Sequence, residues 1–387
     1  MFQKFINKFL SYERDFYQKS VDAFFDRNIE DDIKVFKKLH PKDDFGRSIA
    51  QHKCQVYPFK KDVFKLNLTA LFLTPIVMLA LLIKKKKNNV KDNNSIVVCY
   101  NCFNLPGSLP DTFHGVDISC LSSAECQYHL TSKDVLFLLR FFIRSVLHPF
   151  LSFRVLLKVA KYRAIIDSFS NLKAIAITGE FSDTSSAMTQ YCCEKGIKHY
   201  NFMQGDMFGS PRVAFFHFDK CFVWDQHYVD IFVEYGASPE QFVISKPELL
   251  KKIESGKINK TIDFLYYLGG YPNEDLPSIR KALDKLIAQG FSCEVRPHPH
   301  WSDMVAVNKV FDGIPIQDTK DVNVNDSILM TRNVIGLCST VLIQAYYNDV
   351  DVVIDDFSSH EKFKMLESYK YIMLNKPHKL LSDITNN

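Results

Sequence analysis

The chain is short of net charge. Its 387 residues hold 48 Lys and Arg against 44 Asp and Glu, a net charge of +4. That excludes the broad positive field with which a protein gathers nucleic acid, so no nucleic-acid partner is expected. A second CxxC is also missing. Cys99-Tyr-Asn-Cys102 stands alone, and a structural zinc site needs another pair. The ten cysteines are scattered, several in strand-like runs such as KCFVW and FSCEV. They read as small apolar residues in a reducing cytoplasm, with no disulfide framework. The first fifteen residues carry charges throughout and no apolar core, so no signal peptide is expected. No internal repeat or low-complexity segment is evident. No DxD-type motif stands out either, so the expected metal and cofactor count is none.

What is present is an ordinary globular composition, 47% hydrophobic and 24% charged, with 33 Phe and 17 Tyr. The length exceeds what one core usually organises, so two domains are expected. Phe2, Phe5, Ile6 and Phe9 recur at helical spacing near the start. Residues 66–83, LNLTALFLTPIVMLALLI, carry no charge and are followed by four lysines. Three readings compete for this segment: a membrane span, an interfacial segment or a buried core helix. Positive-inside asymmetry would set the four lysines in the cytoplasm, but Lys60, Lys61 and Lys65 on the other side weigh against a span. Residues 134–168 interleave Arg140, Arg144, Arg154, Lys158, Lys161 and Arg163 with Phe and Leu, with no acid between Asp134 and Asp167. That pattern fits a basic amphipathic helix at a membrane surface, or a core helix whose cations reach solvent.

From Lys173 the pattern alternates. KAIAITGEFSD, IKHYNFMQGDMFG and DKCFVWD are strand-like, separated by the helical runs TSSAMTQYCCEKG and HYVDIFVEYG, each closed by glycine. After a charged linker at 246–260 a second alternating unit begins. It comprises TIDFLYYLGGYPNED, the helix LPSIRKALDKLIAQG, FSCEVRPHPH, the strand and turn SILMTRNVIGLCS, the helix TVLIQAYYND and the strand DVVIDD. Strands alternating with helices predict doubly wound parallel sheets. The expected fold is α/β, with two Rossmann-like domains facing a cleft and a helical, apolar N-terminal extension. The expected parts are 1–90 (helical), 91–250 (acceptor side) and 251–387 (nucleotide-donor side).

The runs RPHPH and GLCSTVLIQA, with FDKCFVWDQHYVDIFVEYGASPEQFVIS, resemble bacterial surface-polysaccharide glycosyltransferases of the GT-B class. RPHPH is similar to the His-Pro motif, and GLCST to the Ser-Ser/Ser-Thr motif, of sialyltransferases and Kdo transferases. The resemblance implies that His298, Ser339 and Thr340 hold the phosphate of a nucleotide-sugar, in those families often a CMP-sugar such as CMP-sialic acid or CMP-Kdo. The acidic-acidic-Gly triplet of many such sialyltransferases is absent. GEFSD, with Glu180 and Asp183, stands at the equivalent strand end. The implied partners are a nucleotide-sugar, a glycan or glycolipid acceptor and the inner face of the inner membrane. Two rivals remain: transfer of glycerol phosphate from CDP-glycerol, and a non-catalytic polysaccharide-assembly subunit.

The residues support this chemistry directly. Arg296 offers a planar fork to phosphate, and His298 and His300 offer imidazole donors. Ser339 and Thr340 stand where a helix begins, which favours an anion; plain helix capping is the alternative for Ser339. Gly269 and Gly270 allow close backbone approach, or simply make a turn. For an inverting displacement the acceptor needs a base. Glu180 is the first choice and Asp183 the second, with a helix cap as its alternative. Gln204, Gly205 and Asp206 are expected on the acceptor side. A metal held by His298, His300 and Asp303 matches no recognised spacing.

Overall fold

The structure is a computed structural model, and it describes residues 11, 15–16, 29–84, 97–100, 107, 109–121, 128–213, 215–253, 259–269 and 273–385. The chain divides into two compact units. The first comprises Met1–Gln204 and Ser210–Ser245, and the second Gly205–Gly209 and Lys246–Asn387. These bounds differ from the expected parts in three ways, the first being that the first unit ends at Ser245 and not at 250. The described N-terminal helices belong to the first unit, and the short Gly205–Gly209 segment belongs to the second.

In the first unit, α1 (Ile29–Phe36), α2 (Asp44–Val56) and α3 (Lys60–Ile83) lead into β1 (Val97–Tyr100) and β2 (Ile118–Leu121). Helices α4 (Ser132–Arg144) and α5 (Pro149–Ser168) follow, then β3 (Ala174–Thr178), α6 (Ser185–Glu194), β4 (Lys198–Phe202), β5 (Lys220–Val223), α7 (Gln226–Glu234) and β6 (Phe242–Ile244). The six strands form one parallel sheet in the order β2-β1-β3-β4-β5-β6. Helices α1 and α2 join this unit because Val35, Phe36, Ala50 and Cys54 bury against Phe215. Gln51 locks α2 down. Its amide donates to the carbonyl of Phe181 (3.1 Å), and its carbonyl accepts from the N–H of Phe215 (2.7 Å).

The second unit runs β7 (Ile262–Tyr267), α8 (Leu276–Ala288), β8 (Cys293–Arg296), α9 (Met304–Val310), α10 (Val324–Leu329), β9 (Thr331–Gly336), α11 (Thr340–Tyr347) and β10 (Asp351–Ile354). It ends with α12 (His360–Ser368), β11 (Lys379–Leu380) and α13 (Leu381–Thr385). Its sheet is also parallel, in the order β11-β10-β9-β7-β8. Counted from its own first strand, this is second-first-third-fourth-fifth. The first unit has the same order with a sixth strand added. The shared order was invisible as a sequence repeat because it resides in alternation, not in particular residues. Strands β3, β7 and β10 read as largely apolar runs, as strands covered on both faces do, whereas β9 (TRNVIG) is apolar only in its second half.

Two local expectations change. Residues 134–168 form two helices, not one. A capping box at Thr131 and Asp134 starts α4, and Pro149 opens α5, where its missing N–H costs nothing. SILM was expected as strand, but Ser327–Leu329 fall inside α10, whose N-cap Asn323 accepts from the N–H of Asp326 (2.8 Å). A short apolar run does not distinguish the two states by periodicity. The segment 66–83 lies within the 24-residue helix α3, which continues through Pro75.

Candidate active site

Open parallel sheets bind ligands outside the carboxyl ends of their strands, where the strand order reverses. In the first unit that point lies between β1 and β3. Gly179, at φ +59°, turns the chain sharply out of β3. Its N–H donates to the carbonyl of Phe202 (2.8 Å). Asn201 clamps the next residue from both sides, donating to the carbonyl of Glu180 (2.9 Å) and accepting from its N–H (3.1 Å). The turn is therefore rigid, and Glu180 stands at the switch point of its sheet.

Helix α5 supplies the charges that face this turn. Lys158 Nζ lies 2.7 Å from Glu180 Oε2, and the Ser182 hydroxyl donates to the same carboxylate. Burial opposes ionisation of Glu180, but Lys158, Ser182 and Arg154 outweigh it and hold the carboxyl at about 2. So low a value makes Glu180 a weak proton acceptor while the pair is intact. Asp183 is wholly buried. It sits 2.7 Å from His52 Nδ1 and is paired with Arg154. Burial again opposes ionisation, and Arg154 and His52 bring it to about 2. The capping alternative for Asp183 is not what the structure shows, since the N-cap of α6 is Thr184. Asp183 instead ties α2, α5 and the β3 turn together. Arg154, Lys158 and Arg163 thus serve ion pairs within the unit, with Asp183, Glu180 and Asp167 respectively. The sequence pattern had left two readings open for them, a membrane surface or a core helix whose cations reach solvent. The importance of His52 and Lys158 to these acids was not legible in sequence, because each lies far along the chain from its partner.

In the second unit the order reverses between β7 and β9, with β8 flanking β7. Tyr267 pairs with Arg296, and Tyr266 with Ile335, so the three strands end at one level. Gly269, Pro297-His298 and Cys338-Ser339 therefore emerge along the same edge. Strands about 4.8 Å apart put the outer two roughly 10 Å from each other. Gly270 lies outside the described residues. A cavity of about 430 Å³ opens at the β8 end of this edge, lined by residues that include Pro297, His298, Ser302, Asn308, Gln317 and Lys320.

His298 is half-buried and held in one orientation. Its backbone N–H donates to the Ser302 hydroxyl (2.8 Å), and its Nδ1 accepts from the N–H of His300 (3.1 Å). An accepting Nδ1 puts the proton of the neutral ring on Nε2. Burial, then the neighbouring His300, lowers the pKa of His298, favouring this neutral donor form. His300 itself is exposed. Arg296 does not act as the expected open fork. It is buried, donating to Gln317 Oε1 (3.2 Å) and the carbonyl of Val322 (2.8 Å), and so shapes the 317–322 wall of the cavity. Asp303 caps α9, accepting from Val305 N (3.0 Å).

Ser339 caps α11, its hydroxyl accepting from Val341 N (3.2 Å), and its own N–H donates to the Tyr371 hydroxyl (3.3 Å). Thr340 is the first residue of the helix. The Gly205–Gly209 segment, expected on the acceptor side, packs within the second unit. Gly209 N–H donates to the carbonyl of Tyr369 (2.8 Å), and Phe208 lies 5.9 Å from the ring of Tyr371. Asp206 is close enough to Cys338 to add to the effect of burial, which together push that thiol to about 12. Its negative charge opposes the pull that the N-terminus of α11 exerts on an anion. Gln204 ends the first unit, its Cβ 3.7 Å from where a side chain on Gly179 would begin.

No protein-family model and no curated protein matches the chain. Solved structures show weak similarity. One is MnaA of S. aureus in a UDP co-structure (9% identity, 67% of this chain and 78% of that one, TM-score 0.42). Another is the UDP-GlcNAc 2-epimerase of Methanocaldococcus jannaschii (11%, 73% and 93%, TM-score 0.37). A third is a variant of the wall teichoic acid polymerase TagF (9%, 85% and 88%, TM-score 0.42). Likenesses at this level carry no weight for activity or substrate. What the chain itself shows is a pair of doubly wound parallel α/β units, each with polar residues at its switch point.

Proposed function

We propose that the protein is a GT-B-type glycosyltransferase that moves a sugar from a nucleotide-sugar to a bacterial surface glycan or glycolipid. One observation carries the reading: three neighbouring strand ends of the second unit bring Gly269, His298 and the N-terminus of α11 to one edge of the sheet, with His298 also lining a cavity of about 430 Å³ on the β8 side. As the glycosidic bond breaks, the nucleotide leaves as a phosphate anion. A fixed imidazole donor and the positive end of the α11 dipole stabilise that charge without reorganising. Glu180 takes the acceptor proton in an inverting displacement once its pairing with Lys158 is relaxed, because a carboxylate at about 2 otherwise holds a proton too weakly. No step of this scheme calls for a metal.

Calorimetric titration of the full chain with CMP, CDP, UDP, GDP and their sugars tests the proposal. One nucleotide is expected to bind, with binding weakened at least about tenfold in His298→Ala. If none binds, the transferase reading fails. A CDP-glycerol transferase would use the same anion grip, and product analysis separates the two, since it makes a phosphodiester instead of a glycoside.

A further inference from the structure

From Leu66 onward helix α3 carries no charge on any side, yet only one side is covered. Val63, Leu66, Ala70, Leu73, Thr74 and Val77 form a buried stripe at three- and four-residue spacing. The other face shows Phe64 at 68% exposure and Phe72 at 65%, with Leu68, Leu71, Ile76, Leu79 and Ile83 also exposed. An all-apolar helix belongs inside a protein or a bilayer, and only six of the 24 residues of this one are buried in the protein.

The exposed face does not stop at α3. Leu136, Leu139 and Ile143 recur every three or four residues on the outer side of α4, and Val146 and Leu147 follow at its end, Leu147 at 81% exposure. The two surfaces meet in a groove of about 230 Å³, lined by Leu71, Pro75 and Met78 from α3 and by Phe142, Val146 and Pro149. A continuous apolar surface of this extent marks an interaction site.

The charges around it favour one occupant. Lys60, Lys61, Lys65 and Lys84 are exposed at the two ends of α3. Between Lys60 and Lys87 the sequence holds seven lysines and one aspartate. Long lysine side chains at both ends of an apolar helix reach the headgroups of a single leaflet while the apolar face sinks beneath them. A span would need one basic end on the far side of the bilayer, against the positive-inside bias. It would also strip the buried stripe from the first unit.

We infer that α3 and the α4–α5 corner form a docking face that lies in one leaflet of an anionic phospholipid bilayer, α3 parallel to its plane. This inference stands apart from the transferase reading, since vesicle binding and nucleotide binding are measured separately. The test is flotation of the purified full chain with phosphatidylglycerol-containing vesicles and with pure phosphatidylcholine vesicles. Wild type is expected to float with the anionic vesicles, less so as salt rises, and weakly with the neutral ones. The exposed-site triple variant Phe64→Ser/Phe72→Ser/Leu147→Ser is expected to lose at least tenfold in partitioning with an unchanged melting temperature. Lys60→Glu/Lys61→Glu is expected to weaken anionic binding alone. Failure of wild type to float, or full binding by the triple variant, overturns the inference. So does a soluble dimer that the triple variant splits without any vesicle binding, which would assign the face to a second copy. Protein that resists alkaline carbonate extraction would be a spanning helix and would overturn the in-plane placement.

Discussion

Lys158 Nζ stands 2.7 Å from Glu180 Oε2, so the first-choice base of the proposed reaction is neutralised by a cation one helix away. This pairing makes Glu180 harder to protonate than an ordinary glutamate, at about 2 against 4.5. Lys158→Met is expected to raise that value, moving the acid limb of the pH–rate profile upward. Stability follows the same linkage. A depressed folded-state value means that ionised Glu180 stabilises the fold above about pH 4.5, and that the contribution is lost as pH falls towards 2. Melting temperatures measured from pH 5 to pH 2 should therefore fall less steeply in Glu180→Gln than in wild type. Identical slopes would show that the pair does not persist in solution.

Asp183 holds a deeper pair of partners, and its removal should cost more. Asp183→Asn leaves Arg154 and His52 buried beside a neutral amide. Losing one member of a buried ion pair costs about 3–5 kcal/mol. Urea denaturation should show a loss of that order, well above the loss in Glu180→Gln, where the partly exposed Lys158 can turn to water. A loss of under about 1 kcal/mol would mean that Asp183 is not the charged centre of this cluster.

How much of this was readable from sequence differs between the two units. The alternation of apolar runs and glycine-stopped helices predicted the succession of β3 to β10, except that SILM before β9 is helical, since Gly196, Gly236 and Gly290 all take the left-handed conformation that ends a helix. His298 and Ser339 were legible as strand-end residues because prolines and a capping serine mark where a strand stops. The fate of Arg296 was not legible, because burial against Gln317 and Val322 depends on a loop twenty residues away. Nor was the placement of Asp206, which sits in a five-residue segment of the second unit embedded in the sequence of the first. Long-range ion pairs such as His52 with Asp183 leave no local pattern at all.

Gly179 offers a cleaner test of the β3 turn. At φ +59° an L side chain is strained by about 1–2 kcal/mol. A methyl there would meet Gln204 Cβ at 3.7 Å, an ordinary contact, so the strain is in the backbone. Gly179→Ala should lower stability by that amount. It should also reduce kcat more than it raises KM for the donor, since the displaced residue is Glu180. An unchanged kcat beside the stability loss would remove Glu180 from the reaction.

His298 is tuned to be neutral. Its lowered pKa and its accepting Nδ1 leave Nε2–H as the donor at and above neutral pH. Nucleotide affinity should therefore be nearly constant between about pH 7 and 9, where an ordinary imidazole is already uncharged. A hydrogen bond to a charged group contributes about 1.5–3 kcal/mol, so His298→Ala should weaken binding by at least about tenfold. A steep fall in affinity above pH 7 would show that the imidazolium, not the neutral ring, is the binding form.

Ser339, Thr340 and Asp206 can be separated by what each variant changes. Ser339 already uses its hydroxyl to cap α11, so Ser339→Ala should cost about 1 kcal/mol of stability. Thr340 begins the same helix, and Thr340→Val should leave stability within about 0.5 kcal/mol while weakening nucleotide binding. Asp206 places a negative charge near Cys338, beside the same helix start. Asp206→Asn should therefore tighten a phosphate-bearing ligand and leave the free nucleoside unaffected. Thermal melts for stability and calorimetry with nucleotide and nucleoside give all three readings. If Asp206→Asn weakens nucleotide binding instead, the phosphate does not rest at the start of α11, and the grip assigned to Ser339 and Thr340 must be given up.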